Sequence, residues 1–191
     1  MSNKNEAIIF SGFGGQGVMS LGKLVAYAGM IENKEVSWLP SYGPEMRGGT
    51  ANCSVIVSEE QVGSPIVTND ATAVIAMNLP SLIKFESSLL KDGTLLVNSS
   101  LVSEKAKRND IKAFYIPANE LALGECQNIK VANMIMLGAY LELNPVVSED
   151  SILEAFLKVF GENKKDLLPL NKKALRTGRE QIRKGWEYVK K

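Results

Sequence analysis

The chain has 191 residues and a mass of 20.8 kDa, with 22 Lys and Arg against 21 Asp and Glu, a net charge of +1 and 45% hydrophobic residues. That is the size and composition of one soluble domain over residues 1–191, because a chain this long buries about 70% of its unfolded surface in a single core, and no apolar run reaches the ~20 residues of a membrane span. Histidine is absent and Cys53 and Cys126 are the only cysteines, which excludes Ser-His-Asp and Cys-His catalysis, imidazole metal sites, a four-cysteine iron–sulfur or zinc centre and a Cys-x-x-Cys redox pair.

The first residues lead directly into a strand-like run, without the apolar stretch and small-residue cleavage site of a signal peptide, so a cytoplasmic location is expected. Ala7-Ile8-Ile9-Phe10 is a short continuous apolar run, as for a strand buried on both faces of a parallel sheet. A helix follows, with Val18, Leu21, Leu24, Val25, Ala28 and Met30 as its buried stripe, ended by Gly29 and Glu32-Asn33-Lys34. A second strand at Val36–Leu39 completes a βαβ unit. The run from Asn52 to Ser58 alternates polar and apolar residues, which predicts a strand near an edge or an antiparallel one, with Cys53 on the packed face beside Val55 and Val57.

Ala73–Met77 reads as a central strand, Pro80–Leu90 as a helix stopped at Asp92-Gly93, and Leu95–Asn98 and Ala113–Pro117 as two more strands. Helical spacing covers Val131–Leu143, Glu149–Phe160 and Asn171–Lys190. The expected architecture is α/β: three layers, a mostly parallel sheet with helices on both faces, and a helical C-terminal third.

Charge is uneven. Residues 172–191 carry eight Lys or Arg against Glu180 and Glu187, a balance of +6 that leaves −5 for the rest. Leu175, Gly178, Ile182, Trp186 and Val189 form an apolar helical stripe, with Arg179, Arg183 and Lys184 on other faces. These cations are read as a solvated face or as a docking surface for an acidic partner subunit. Nucleic acid is not expected, since no base-stacking set or nucleic-acid motif accompanies the charge.

Two loops carry the chemistry. Gly12, Gly14 and Gly17 satisfy G-x-G-x-x-G between a strand and a helix, where backbone N–H groups and the helix end can receive a phosphate or carboxylate. The second strand ends Trp38-Leu39-Pro40-Ser41 without the acid that holds a dinucleotide ribose, which argues against NAD. Packing glycines and anion binding both remain open for this loop. In the second loop, Ser41–Ala51, the Arg47 guanidinium stands among Met46, Gly48 and Gly49 and can grip an anion bidentately or pair with Glu45, while Tyr42 offers a flat face and a hydroxyl. Neither loop holds a nucleophile or general base.

Gly12-Phe13-Gly14-Gly15-Gln16-Gly17 and Ser41-Tyr42-Gly43-Pro44-Glu45-Met46-Arg47-Gly48-Gly49-Thr50-Ala51-Asn52-Cys53 resemble the gamma subunit of 2-oxoacid:ferredoxin oxidoreductases. The likeness extends over Asn69-Asp70, Asn78–Leu82 and Asn133–Ala139 and fades in the basic tail. It implies a subunit without a redox cofactor of its own, in a hetero-oligomer with alpha, beta and ferredoxin-like delta subunits. That assembly decarboxylates a 2-oxoacid, transfers the acyl group to coenzyme A and passes electrons to ferredoxin, with thiamine diphosphate and 4Fe-4S clusters on the partners.

The Glu45–Thr50 wording is similar to subunits acting on 2-oxoglutarate or branched-chain 2-oxoacids, and 2-oxoglutarate is the expectation. Gly12, Gly14, Gly15, Gln16, Gly17, Tyr42, Glu45, Arg47, Gly48, Gly49 and Thr50 are the residues expected to form the coenzyme A side of the site. Two alternatives stand beside this reading: a free-standing nucleotide-binding regulatory domain using the Gly12–Gly17 loop, and a purely structural interaction subunit. Homodimerisation of the isolated chain also stays open.

Overall fold

The computed structural model describes residues 5–42 and 50–185, with Tyr42 and Thr50 described in backbone only. Six strands form one sheet: β1 (Asn5–Phe13), β2 (Glu35–Tyr42), β3 (Thr50–Ser58), β4 (Ala71–Ala76), β5 (Leu89–Asn98) and β6 (Lys112–Ile116). Their spatial order is β2-β3-β1-β4-β5-β6. β1, β4, β5 and β6 pair in parallel, and β3 runs antiparallel to both β1 and β2. The sheet is therefore mostly parallel, with one reversed strand.

That reversal corrects the expected βαβ unit. The strand after the first helix does not lie beside β1, because β3 occupies that place. The alternation in β3 has its reason here: Cys53, Val55 and Val57 are sealed under helix, whereas Asn52, Ser54 and Ile56 on the opposite face are only half-buried.

The helices are α1 (Val18–Ile31), α2 (Leu79–Phe85), α3 (Ala118–Gly124), α4 (Ala132–Leu143), α5 (Glu149–Phe160) and α6 (Leu168–Arg183). The larger core lies on one face of the sheet, where Ile8, Phe10, Val55, Ile75, Leu96 and Ile116 meet residues of α1, α4, α5 and α6. On the other face Ile9, Val74, Leu95 and Val97 pack against Leu82 of α2 and against Val102 and Ile111 of the segment between β5 and β6. The three layers are present but unequal. No helix among the described residues is long and apolar enough to cross a membrane.

Helix α1 stops through a Schellman arrangement: Asn33 takes φ 58°, its N–H donates to Met30 O at 3.1 Å, and Lys34 N–H donates to Gly29 O at 2.9 Å. Gly29 is thus inside the helix rather than its end. Met30, expected on the buried stripe, is 58% exposed because it falls on the solvent side of the last turn. The helix expected to run to Leu90 ends at Phe85, a 3₁₀ turn covers Glu86–Ser88, and Leu89 already begins β5. Tertiary bonds decide this. The Arg108 guanidinium donates to the carbonyls of Glu86 and Leu89 at 3.2 and 2.6 Å, and the Glu86 carboxylate accepts from Arg108 N–H at 2.7 Å.

Helix α4 is apolar all round because it is enclosed, with Ile135, Met136, Leu137, Ala139 and Tyr140 fully buried. Its closest neighbour is α6, which starts earlier than the spacing predicts, at Leu168, after a 3₁₀ segment at Glu162–Leu167. Leu175 and Gly178 of the predicted stripe are buried against α4, and Trp186 and Val189 lie outside the described residues. Two of the three cations expected on free faces are committed within the chain. Arg183 Nε lies 2.7 Å from Glu142 Oε1, and Arg179 lies 3.5 Å from Glu142 and 3.6 Å from Glu149. These pairs tie α6 to α4 and to the start of α5, and the Arg183 side chain stays 64% exposed. Lys184 makes an exposed i,i+4 contact with Glu180 at 3.9 Å.

Candidate functional site at the carboxyl edge of the sheet

Strand β1 feeds α1 onto the larger core face, and its parallel neighbour β4 feeds α2 onto the other face. Chains leaving two adjacent parallel strands in opposite directions open a crevice beyond their carboxyl ends, the usual ligand position in an open α/β sheet. The Gly12–Gly17 loop lines this crevice.

The loop is held from three sides. Gln16 Oε1 accepts the Phe13 N–H at 2.6 Å and the Asn78 side-chain N–H at 3.4 Å, while Gln16 Nε2 donates to Met77 O at 3.3 Å. Asn78 is buried, and its Oδ1 accepts the Ser81 N–H at 2.9 Å as the N-cap of α2. Asn133, at the start of α4, donates to Gly17 O at 3.5 Å. Gly17 has φ 77°, the left-handed region that favours glycine, and a Cβ there would lie 2.3 Å from the Asn133 amide nitrogen and displace that side chain. Gly14 and Gly15 stand exposed at the tip.

This geometry divides the expected site residues. The Gln16 amide braces the loop through both its oxygen and its nitrogen. Gly12 is buried beneath Gln16 and Met77. Beyond the loop, the first turn of α1 has no side-chain cap and no acidic residue. An uncapped helix end with its positive dipole accepts a phosphate or carboxylate.

The register brings the second loop to the same edge. Gly12 pairs with Ala51, and Ala51 pairs with Tyr42, so the segment between Tyr42 and Thr50 leaves and re-enters beside Phe13. The strand ends that flank the second loop therefore belong to β2 and the antiparallel β3 rather than to neighbouring parallel strands. Glu45, Arg47, Gly48 and Gly49 lie outside the described residues, and Tyr42 and Thr50 are placed by backbone alone.

Further along the edge, Asn98 ends β5 and donates to Asn119 Oδ1 at 2.9 Å, and Ser100 Oγ accepts the Asn119 N–H at 3.2 Å. The sequence reading assigned none of Asn78, Asn98, Asn119 or Asn133 to the site. For Asn78 and Asn98, an asparagine closing an apolar run was the available signal, since its short amide caps the next turn. Cys53, close to the loops in sequence, is enclosed under α1, and burial pushes its thiol up to about 12. It has no nucleophilic role at neutral pH.

The sequence pattern of the pyruvate ferredoxin/flavodoxin oxidoreductase family matches residues 7–181. Ketoisovalerate oxidoreductase subunit VorA of Methanothermobacter marburgensis is 36% identical over 93% of this chain, and the chain spans only 36% of that relative's length. 2-Oxoglutarate synthase subunit KorC of Methanocaldococcus jannaschii is 34% identical over 87% of the chain and 91% of its own length. Among solved structures, the keto/oxoacid ferredoxin oxidoreductase gamma subunit of Geobacter sulfurreducens superposes with a TM-score of 0.78 at 30% identity, over 94% of this chain and 99% of that one. The 2-oxoglutarate:ferredoxin oxidoreductase of Magnetococcus marinus, with 2-oxoglutarate, coenzyme A and succinyl-CoA bound, shares the fold with a TM-score of 0.84 at 24% identity, over 98% of this chain and 32% of that one. With nearly its whole length matched, this chain belongs to the pyruvate ferredoxin/flavodoxin oxidoreductase family and is of its gamma-subunit type.

Proposed function

We propose that the chain is the gamma subunit of a cytoplasmic 2-oxoacid:ferredoxin oxidoreductase, assembled with alpha, beta and ferredoxin-like delta subunits that carry thiamine diphosphate and 4Fe-4S clusters. The complex converts a 2-oxoacid, by our reading 2-oxoglutarate, to its acyl-CoA and passes the electrons to ferredoxin. The observation that carries the reading is the glycine loop at the sheet's switch point, braced by Gln16, Asn78 and Asn133 and opening onto an uncapped helix end.

In this role the loop receives an anionic group of coenzyme A, and Arg47, with Tyr42, Glu45, Gly48, Gly49 and Thr50 around it, closes the site from the neighbouring loop. This chain supplies fixed hydrogen-bond donors and charge, which orient the acyl acceptor without taking part in redox chemistry. The 2-oxoglutarate assignment rests on the Glu45–Thr50 wording and on the KorC relative, most of whose length the chain spans. A free-standing dinucleotide domain is less well supported, since the strand beside β1 on the β2 side is the antiparallel β3 and β2 ends without an acid.

The test uses the reconstituted complex. Arg47→Ala and Gln16→Ala are each expected to raise the KM for coenzyme A with subunit assembly intact, and 2-oxoglutarate is expected to give the highest kcat/KM among 2-oxoglutarate, 2-ketoisovalerate and pyruvate. Unchanged coenzyme A kinetics in both variants would remove the ligand role. A higher kcat/KM for 2-ketoisovalerate or pyruvate would reassign the substrate.

A further inference from the structure

Leu39, Ser54, Ile9, Val74 and Leu95 stand side by side on β2, β3, β1, β4 and β5, in one row across the sheet. The row lies on the α2 face, since Ile9, Val74 and Leu95 belong to the smaller core, while Trp38, Val55 and Ile8, one residue away, belong to the larger. Exposure falls along it: Leu39 is 41% exposed, Ser54 is half-buried, and Ile9, Val74 and Leu95 are at most 2% exposed. The next row behaves alike, with Ser41 exposed, Asn52 half-buried, and Ser11 and Ala76 enclosed. The reason is the placement of α2. It packs over β1 and β4, where its Ser81 hydroxyl accepts from Ser11 at 2.7 Å, and no described residue of β2 or β3 enters the smaller core.

The uncovered part is poor in charge. Ser37, Leu39 and Ser41 of β2 and Asn52, Ser54 and Ile56 of β3 are all uncharged, in a chain of which 23% is charged. Four of the six are Ser or Asn, so the face is flat as well as neutral. Loss of charge marks the centre of an interface rather than a solvated surface. Its area restricts what can sit there. Eight paired positions at ~3.4 Å and two strand spacings of ~4.8 Å make on the order of 300 Å². A second copy seated face to face would bury on the order of 600 Å² in all, the size of a crystal contact and short of the ~1,000 Å² of a specific pair. The occupant therefore extends past the margin of this face. At the carboxyl margin Ser41 and Asn52 lie in register with Ser11, one residue before the Gly12–Gly17 loop. Here the argument rests on the coenzyme A reading of that edge: acyl transfer brings the subunit bearing the acyl donor to it.

We propose that the α2-side face of β2 and β3 is the docking surface of the thiamine-diphosphate-bearing subunit, whose footprint runs from Leu39 and Ser54 onto the carboxyl edge. That subunit meets it with an uncharged surface, because a charge seated over Ser54 or Ile56 would be desolvated without a counter-ion.

The probe is a thiol placed by Ser54→Cys in the full-length chain. Cys53 and Cys126 are buried, and the Cys53 thiol is held up to about 12, so maleimide reports on the introduced thiol. Labelling is expected to be at least about tenfold slower in the reconstituted complex than in the free chain. Met30→Cys, at a 58% exposed position of α1 on the other side of the sheet, should label at one rate in both. A benzophenone attached through Ser54→Cys is expected to cross-link to the thiamine-diphosphate-bearing subunit. Ser54→Arg should weaken assembly by about a hundredfold, since it buries an unpaired charge. Equal labelling rates, or a cross-link only to the ferredoxin-like subunit or to a second copy, would overturn the proposal. Protection of Ser54→Cys with unchanged coenzyme A kinetics in Arg47→Ala and Gln16→Ala would remove the coenzyme A reading and leave the docking face standing, so the two fail separately.

Discussion

Gly178→Ala is the sharpest test of how the helical layer is held. Helices α4 and α6 cross with their backbones in contact: a Cβ on Gly178 would lie 1.9 Å from Ile135 O and 2.7 Å from Ala139 N, and one on Gly138 would lie 2.0 Å from Leu175 O. The atoms in the way are main chain, so no rotamer change relieves the clash. An ordinary carbon–oxygen contact needs about 3.3 Å, and α6 must retreat by more than ~1 Å, loosening the fully buried Ala174 and Leu175 against Ile135 and Ala139. Overpacking costs about 1–3 kcal/mol, and more where backbone must move. Alanine returns about 1 kcal/mol through helix propensity. Because main chain must move, the packing cost stands at or above the ~3 kcal/mol top of that range, and a net loss of about 2 kcal/mol or more is expected. Equilibrium urea unfolding of the isolated chain, followed by circular dichroism, measures it, with Gly124→Ala as control because a Cβ there meets no atom within 4 Å. A Gly178→Ala chain as stable as the control would show that the close crossing does not exist in solution.

Two further outcomes follow from ionisable groups. The Cys53 thiol, raised by burial from the ordinary 9.0 to about 12, stays protonated in the folded chain where the unfolded one ionises, so its contribution is complete below pH 9.0 and is lost as pH rises toward about 12, by ~1.4 kcal/mol per pH unit. Urea midpoints of wild type and Cys53→Ala across that range should show a flatter alkaline slope in the variant, and parallel slopes would contradict the enclosed thiol. The Arg183 guanidinium, aided by Arg179, holds the Glu142 carboxyl below the usual carboxylate range. That contribution is present above the ordinary 4.5 and fades as pH falls through the depressed value, so Glu142→Gln should lose part of the acid-side slope and Arg183→Gln should behave alike.

The elements were legible in the residues because hydrophobic period is local. The apolar run Ala7–Phe10, the alternation of Asn52–Ser58 and the Ser148-capped helix Glu149–Phe160 each stand where their spacing puts them. The composition already ruled out histidine and four-cysteine chemistry, and the Gly12–Gly17 pattern named the loop that lines the crevice. Strand neighbours were not legible, since pairing is decided between segments far apart in the chain. The insertion of β3 beside β1, with Gly12 opposite Ala51, satisfies the backbone edge of β1 that faces away from β4, and no window of local sequence contains it. The same holds for side chains whose partners are remote. Arg108 ends a helix by claiming carbonyls about twenty positions away, Arg179 and Arg183 tie α6 to Glu142 of α4, and Gln16 braces its loop through Met77 and Asn78. Residue type and period determine which segments form and which face is apolar; only the packed sheet decides what each polar group at a strand end touches, because a hydrogen bond depends on ångström-scale distances that the order of residues does not contain.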